Sequence, residues 1–147
     1  MTSRTSAGTS IAIGPAPATY DAVGFGAVVV TTIGEVTDAG EYGKVYTLVT
    51  HNPLATRQTV KKKGSFNNGS ITLQLAIDEA DVGQIAALAA ADSDASFTIK
   101  VTKQNGAIDY FTAQVMSFTN SIGSVDSIES GSIQLEIDND IVKVAAP

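Results

Sequence analysis

The chain has 147 residues, with 9 Lys and Arg against 15 Asp and Glu, a single His and no Cys, for a net charge of −6. That length suits one domain with its own core, and the absence of Cys excludes a disulfide framework, thiolate metal sites and a cysteine nucleophile. An isoelectric point near 4.5 argues against a general positive field for gripping nucleic acid. Charged residues make up only 16%, against about 25% in ordinary soluble domains. We read the deficit as surface reserved for copies of the same chain, although Ser, Thr and Asn also supply polar surface. The amino terminus has no signal-like apolar run and no stretch approaches membrane-spanning length, so the chain is expected to be neither exported nor inserted in a bilayer.

Residues 1–27 are rich in Ser, Thr, Gly and Ala, and Pro15-Ala16-Pro17 favours an extended path. They are expected to form an extended arm, disordered or laid on a neighbour, ahead of a single domain over 28–147 that starts with a short strand near Val28–Thr32. Lys44–Thr50 is rich in β-branched and aromatic residues, and Ile71, Leu73, Leu75 and Ile77 alternate with polar neighbours. Between these strands lies a stretch of about residues 53–69, read as a loop because of its length, Gly64 and Asn68-Gly69. Arg57, Lys61, Lys62 and Lys63 place 4 of the 9 cations in it, so the other 5 face 15 acids elsewhere. The run reads either as a solvated face or as a contact with an acidic edge of another copy.

Asp78, Glu79 and Asp81 supply a helix cap and an acidic first turn, and Val82, Ile85, Ala86, Leu88 and Ala89 share one face. A helix is therefore expected over 79–91, packed on a sheet. Strict alternation returns at Phe97, Ile99 and Val101, and at Ile133, Leu135 and Ile137. Asn105-Gly106 predicts a two-residue type I′ hairpin. In the strand that follows, the apolar parity changes between Val115 and Met116, which predicts a β-bulge turning its later half to another surface. The fold class is mainly β (α+β): an antiparallel β-sandwich or partly open barrel with one flanking helix.

Chemistry is sparse. His51 lies in a His-Asn-Pro turn with no G-x-S-x-G elbow anywhere, and Gly43-Lys44 fits neither end of a phosphate loop. The pairs Asp92/Asp94 and Asp138/Asp140 lack the glycine and glutamate of a calcium loop and read as polar strand ends. No catalytic, metal or cofactor residue is expected.

Thr50–Gln84 (THNPLATRQTVKKKGSFNNGSITLQLAIDEADVGQ), with the later ASFTIKVT and FTAQVMSFTNSIGSVDSI, resembles the major tail tube proteins of long, non-contractile-tailed bacteriophages, across most of residues 11–144. The resemblance implies a non-enzymatic subunit of hexameric rings stacked into a hollow tube, whose lumen is a β-barrel contributed by every copy and carries DNA on ejection. It implies as partners further copies, a tape measure protein, a tail terminator and distal tail or baseplate proteins, and as location a virion tail assembled in the host cytoplasm. The same fold serves inner tubes of contractile tails and type VI secretion, which stands as the alternative. A carbohydrate-binding β-sandwich is the rival from another class, disfavoured by the absence of Trp and an aromatic content of 6%. On the tube reading, Arg57, Lys61, Lys62 and Lys63 are expected to reach an adjacent ring. Asp109 and Glu136 are expected to line an acidic lumen along which DNA slides.

Overall fold

Alternating apolar residues set most of the strands. The computed structural model describes residues 3–146, ordered as β1 (Ser10–Gly14), α1 (Ala22–Gly26), β2 (Thr31–Ile33), β3 (Val36–Asp38), β4 (Val45–His51), β5 (Val60–Asn67), β6 (Ser70–Ala76), α2 (Val82–Ala91), β7 (Phe97–Thr102), β8 (Ile108–Ser121), β9 (Ser130–Ile137) and β10 (Val142–Val144). The main sheet is antiparallel, in the order β2-β1-β7-β8-β9-β6-β3, with β10 paired to β8; β4 and β5 form a separate hairpin. The chain is thus mainly β, with two sheets and a flanking helix.

Ile71, Leu73 and Leu75 of β6, Ile99 and Val101 of β7, Phe111 and Ala113 of β8, and Ile133 and Leu135 of β9 meet in a single buried cluster. Each large member contributes about 1.5–3 kcal/mol by leaving water. Strands β2 and β3 are opposite edges of the sheet, yet only Gly34 and Glu35 separate them in sequence. The sheet is therefore rolled until both edges reach one corner, with no hydrogen-bonded ladder between them: an open barrel rather than a closed one.

The amino-terminal segment differs from the expected arm. Within its described residues, β1 lies between β2 and β7, with Ile11, Ala12 and Ile13 buried. The short helix α1 is capped by Asp21, whose carboxylate accepts from the Gly24 amide at 2.7 Å. It places Phe25, 1% exposed, in a stack on Tyr110 with ring centroids 5.4 Å apart. The short apolar run Ile11–Ile13 gained its strand from pairing on both sides, which no local pattern reveals.

Three further expectations are corrected. Residues 60–67, read as loop, are strand β5, because β4 supplies its ladder. In the β7–β8 turn only Gly106 has positive φ (92°), and Lys103 receives the Gly106 amide at 3.0 Å while its own amide bonds the Ala107 carbonyl at 2.8 Å. That is a three-residue loop with glycine in the left-handed position, not a type I′ turn. The bulge is present, with Met116 unpaired between Val115↔Leu135 and Ser117↔Gln134. Its effect is the reverse of the one expected: by shifting parity it returns Phe118 to the core side of β8 instead of turning the strand away.

Helix α2 begins at Val82 with Asp81 as its cap, three residues later than expected, because Asp78 and Glu79 belong to the preceding turn. Its face is also inverted. Gly83, Gln84, Ala87 and Ala90 are buried and, of the expected face, Ala86 alone packs partly against the core, whereas Val82, Ile85 and Leu88 are 66%, 53% and 53% exposed and Ala89 is exposed as well. The cause is close approach: a Cβ on Gly83 would lie 2.1 Å from the Thr32 carbonyl oxygen and 2.5 Å from the Ile33 Cα. At the closest approach only small side chains fit, Gln84 alone reaches into the seam by bonding its carbonyls, and the large apolar residues point outward. Gly83→Ala is accordingly expected to destabilise the monomer by about 1–3 kcal/mol, while Leu88→Ala stays within about 0.5 kcal/mol of the parent, both read from denaturant midpoints; the opposite order would show that the large residues hold the helix.

Candidate assembly surfaces

The β4–β5 hairpin stands apart from the core. Every residue of β4 is exposed, and the only residues of β5 that are not fully exposed are Val60 and Gly64. Between Val45 and Asn67 there are four cations and no acid. Register puts Leu48 beside Lys63 and Thr50 beside Lys61 on one face, and Val49 beside Lys62 on the other. Tyr46, Leu48 and Phe66 thus share a face with Lys61 and Lys63, and the Lys63 ammonium sits 4.7 Å from the Tyr46 ring centroid. Arg57 lies in the connection between the strands, after the turn in which the Thr56 amide meets the Pro53 carbonyl. The four predicted basic residues are therefore brought together, on a projecting hairpin rather than a loop. A lone two-stranded hairpin with both faces wet is marginal in water.

A second surface is the outer face of β6, β8 and β9. Ser70, Thr72 and Gln74 lie opposite Glu136, Gln134 and Ser132, which in turn pair with Gln114, Ser117 and Thr119. Among these nine residues Glu136 carries the only charge. Its half-buried side chain alternates with the buried Leu135 and Ile137.

Asp109 is elsewhere. It shares parity with Phe111, Ala113 and Val115, so it points to the core side and is only 2% exposed. The Tyr42 hydroxyl donates to its carboxylate, and the Lys103 ammonium lies 3.1 Å away. An internal carboxylate with two partners cannot line a channel, and its expected place beside Glu136 is corrected. The signal is in the sequence: Asp109 is two residues before Phe111 and shares the alternating face of Phe111, Ala113 and Val115. Burial and the adjacent Asp109 push the Tyr42 phenol above its ordinary range.

The third surface was missed because it depends on the inverted helix. Ile85 and Leu88 of α2, with Ile77 and Phe118, line a 410 Å³ groove whose other lining residues include Asp78 and Glu79. From Ile77 to Ala95 the sequence has five acids and no cation. As for metal chemistry, no group of three or more His, Cys, Asp or Glu side chains among the described residues could hold an ion, and no helix there is long and apolar enough to cross a membrane. His51 is exposed at the end of β4.

No protein-family model and no curated protein matches the sequence. Solved structures do match the fold. A chain in the cryo-EM structure of the anti-feeding prophage baseplate, 6-fold symmetrised, has a TM-score of 0.75 at 9% identity, covering 99% of this chain and 98% of that one. A chain in the sheath/tube terminator of an extracellular contractile injection system, in the extended state, has a TM-score of 0.72 at 12% identity, with 99% of both chains covered. A chain of the SPP1 tail tube has a TM-score of 0.62 at 15% identity, covering 92% of this chain and 75% of that one. The fold is thus one shared by injection-system and tail-tube assemblies and is not particular to non-contractile tails.

The Tyr42–Asp109 contact makes stability depend on alkaline pH. The folded chain keeps a phenolic proton that the unfolded chain releases near pH ~10, so this group's contribution is full below that pH and is lost as pH rises above it. Thermal melts from pH 7 upward should therefore show the parent's midpoint falling above pH ~10 more steeply than that of Tyr42→Phe, which starts lower because a buried carboxylate has lost a donor, at a cost of about 1–3 kcal/mol. Parallel curves for the two would remove Tyr42 as the titrating group.

Proposed function

We propose that this chain is the tube subunit of a tail-like particle, forming hexameric rings that stack into a hollow conduit. The observation that carries the reading is the β4–β5 hairpin, whose apolar and basic side chains are exposed among the described residues. A protein of low charge that displays such a hairpin gains by burying it against other copies. Rings close, and stacked rings repeat a head-to-tail contact along one axis. The fold likeness to injection-system and tail-tube chains supports the same assignment.

Between the two kinds of tail, the likeness favours the inner tube of a contractile, injection-type particle. The injection-system terminator chain matches over 99% of both lengths, against 75% of the SPP1 chain. Further copies are then the main partner. Baseplate and terminator proteins are the partners at the two ends, and a tape measure protein and transiting DNA occupy the bore. The place of action is a virion tail or comparable particle, assembled in the host cytoplasm.

On this reading the outer face of β6, β8 and β9 lines the bore. Hydroxyls and amides with a single carboxylate, Glu136, offer DNA phosphates no cation to hold, so a polyanion slides. Arg57, Lys61, Lys62 and Lys63 reach the adjacent ring, where charge pairs set stacking register more than affinity.

Negative-stain microscopy and light scattering of concentrated protein test the assignment directly: rings and tubes are expected, and a persistent monomer overturns it. Changing Lys61, Lys62 and Lys63 together to Glu should leave circular dichroism unchanged and rings present while tubes shorten or vanish; tubes of parental length and salt resistance would make the hairpin a merely solvated face. Tubes of Glu136→Lys should retain double-stranded DNA in a salt-sensitive manner that the parent lacks, and equal retention by both would place this face outside the bore.

A further inference from the structure

We infer that the groove between α2 and the end of β8 is the receptor for the β4–β5 hairpin of another copy of this chain. The inference rests on the tube reading and names the surface that the basic hairpin reaches. Two observations meet. The hairpin presents an apolar row, Tyr46 and Leu48 at 42% and 62% exposed, flanked on the same face by Lys61 and Lys63. The groove presents an apolar floor, Ile85, Leu88 and Phe118, flanked by Asp78 and Glu79. Ile85 and Leu88 are each 53% exposed because α2 is held to the sheet through Gly83, Ala87 and Ala90, which turns its large apolar residues outward.

Charge fixes the pairing. The segment 45–67 has four cations and no acid, and 77–95 has five acids and no cation, so each repels its own kind and attracts the other. Like charge disfavours pairing a hairpin with a hairpin or a groove with a groove. No hairpin residue lines the groove of its own chain. The arrangement left is hairpin of one copy into groove of another, which on the tube reading is a heterologous contact repeated along the axis. The apolar row supplies burial, and the flanking charges fix direction and register.

Reciprocal charge reversal tests this. One variant carries Lys61→Glu, Lys62→Glu and Lys63→Glu; the other carries Asp78→Lys and Glu79→Lys. Each alone should form rings without tubes, and an equimolar mixture should regain tubes, because every hairpin then meets a groove of opposite sign. Rescue failing while the parent still builds tubes overturns the groove as receptor and leaves the tube assignment standing; a parent that builds no tubes overturns the assignment itself. Tubes formed by either variant alone also overturn the inference. Should the groove variant lose its circular dichroism signal, cross-linking decides: the chain has no Cys, so copies bearing Leu48→Cys mixed with copies bearing Leu88→Cys should form disulfide dimers at least tenfold faster than with copies bearing Gln104→Cys, an exposed residue of the β7–β8 turn. Equal rates for the two mixtures would show that the hairpin does not seat on α2.

Discussion

Gly34 sits where the two edges of the rolled sheet come together, and a single turn of α2 holds both its backbone groups. Its amide donates to the Asp81 carboxylate at 3.0 Å, and its carbonyl accepts from the Gln84 side chain at 3.1 Å. The same Asp81 oxygen caps the helix through the Gln84 amide, while Gln84 also donates to the Ala76 carbonyl and accepts from the Asp78 amide. An open seam leaves backbone groups without ladder partners, and burying them unpaired costs about 1–3 kcal/mol each. Two side chains meet that demand and, in doing so, fix the helix at contact distance from β2.

That constraint propagates to the outside of the molecule. A helix drawn down to backbone contact presents Gly83, Ala87 and Ala90 inward beside the hydrogen-bonded Gln84, and its large apolar residues Val82, Ile85 and Leu88 face away. The bulge at Met116 brings Phe118 to the same side, and an apolar groove results from requirements of the fold. The hairpin is the complementary consequence: β4 and β5 satisfy each other's ladder and leave their side chains to whatever meets them. A chain with 16% charged residues places four of its nine cations on the hairpin segment and five of its fifteen acids in the segment around the groove. Segregation of this kind disfavours symmetric pairing and favours directional stacking.

Asp109 shows a different use of charge. With Tyr42 donating to it and Lys103 beside it, the carboxylate ties the loop before β4 to β8. Tyr42 also packs its ring against Phe111, with centroids 5.3 Å apart. A buried ion pair adds little net stability once desolvation is counted, but it tolerates few alternative arrangements. The base of the projecting hairpin is thereby anchored even though the hairpin itself is exposed.

By itself, the sequence determined what period and local chemistry dictate. The alternations at Ile71–Ile77, Phe97–Val101 and Ile133–Ile137 specified half-buried strands, Asp78, Glu79 and Asp81 a helix start within three residues, Asn105-Gly106 a turn, and the slip at Met116 a bulge, because each depends on neighbours along the chain. The grouping of Arg57 with Lys61, Lys62 and Lys63 was legible for the same reason. Tertiary structure alone decided that Ile11–Ile13 is a strand paired on both sides, that Lys61–Lys63 lie in β5, and which side of α2 is buried. Those outcomes depend on partners far away in sequence: ladder hydrogen bonds from β2, β4 and β7, and the Thr32 carbonyl standing where a larger side chain on the helix would need to be.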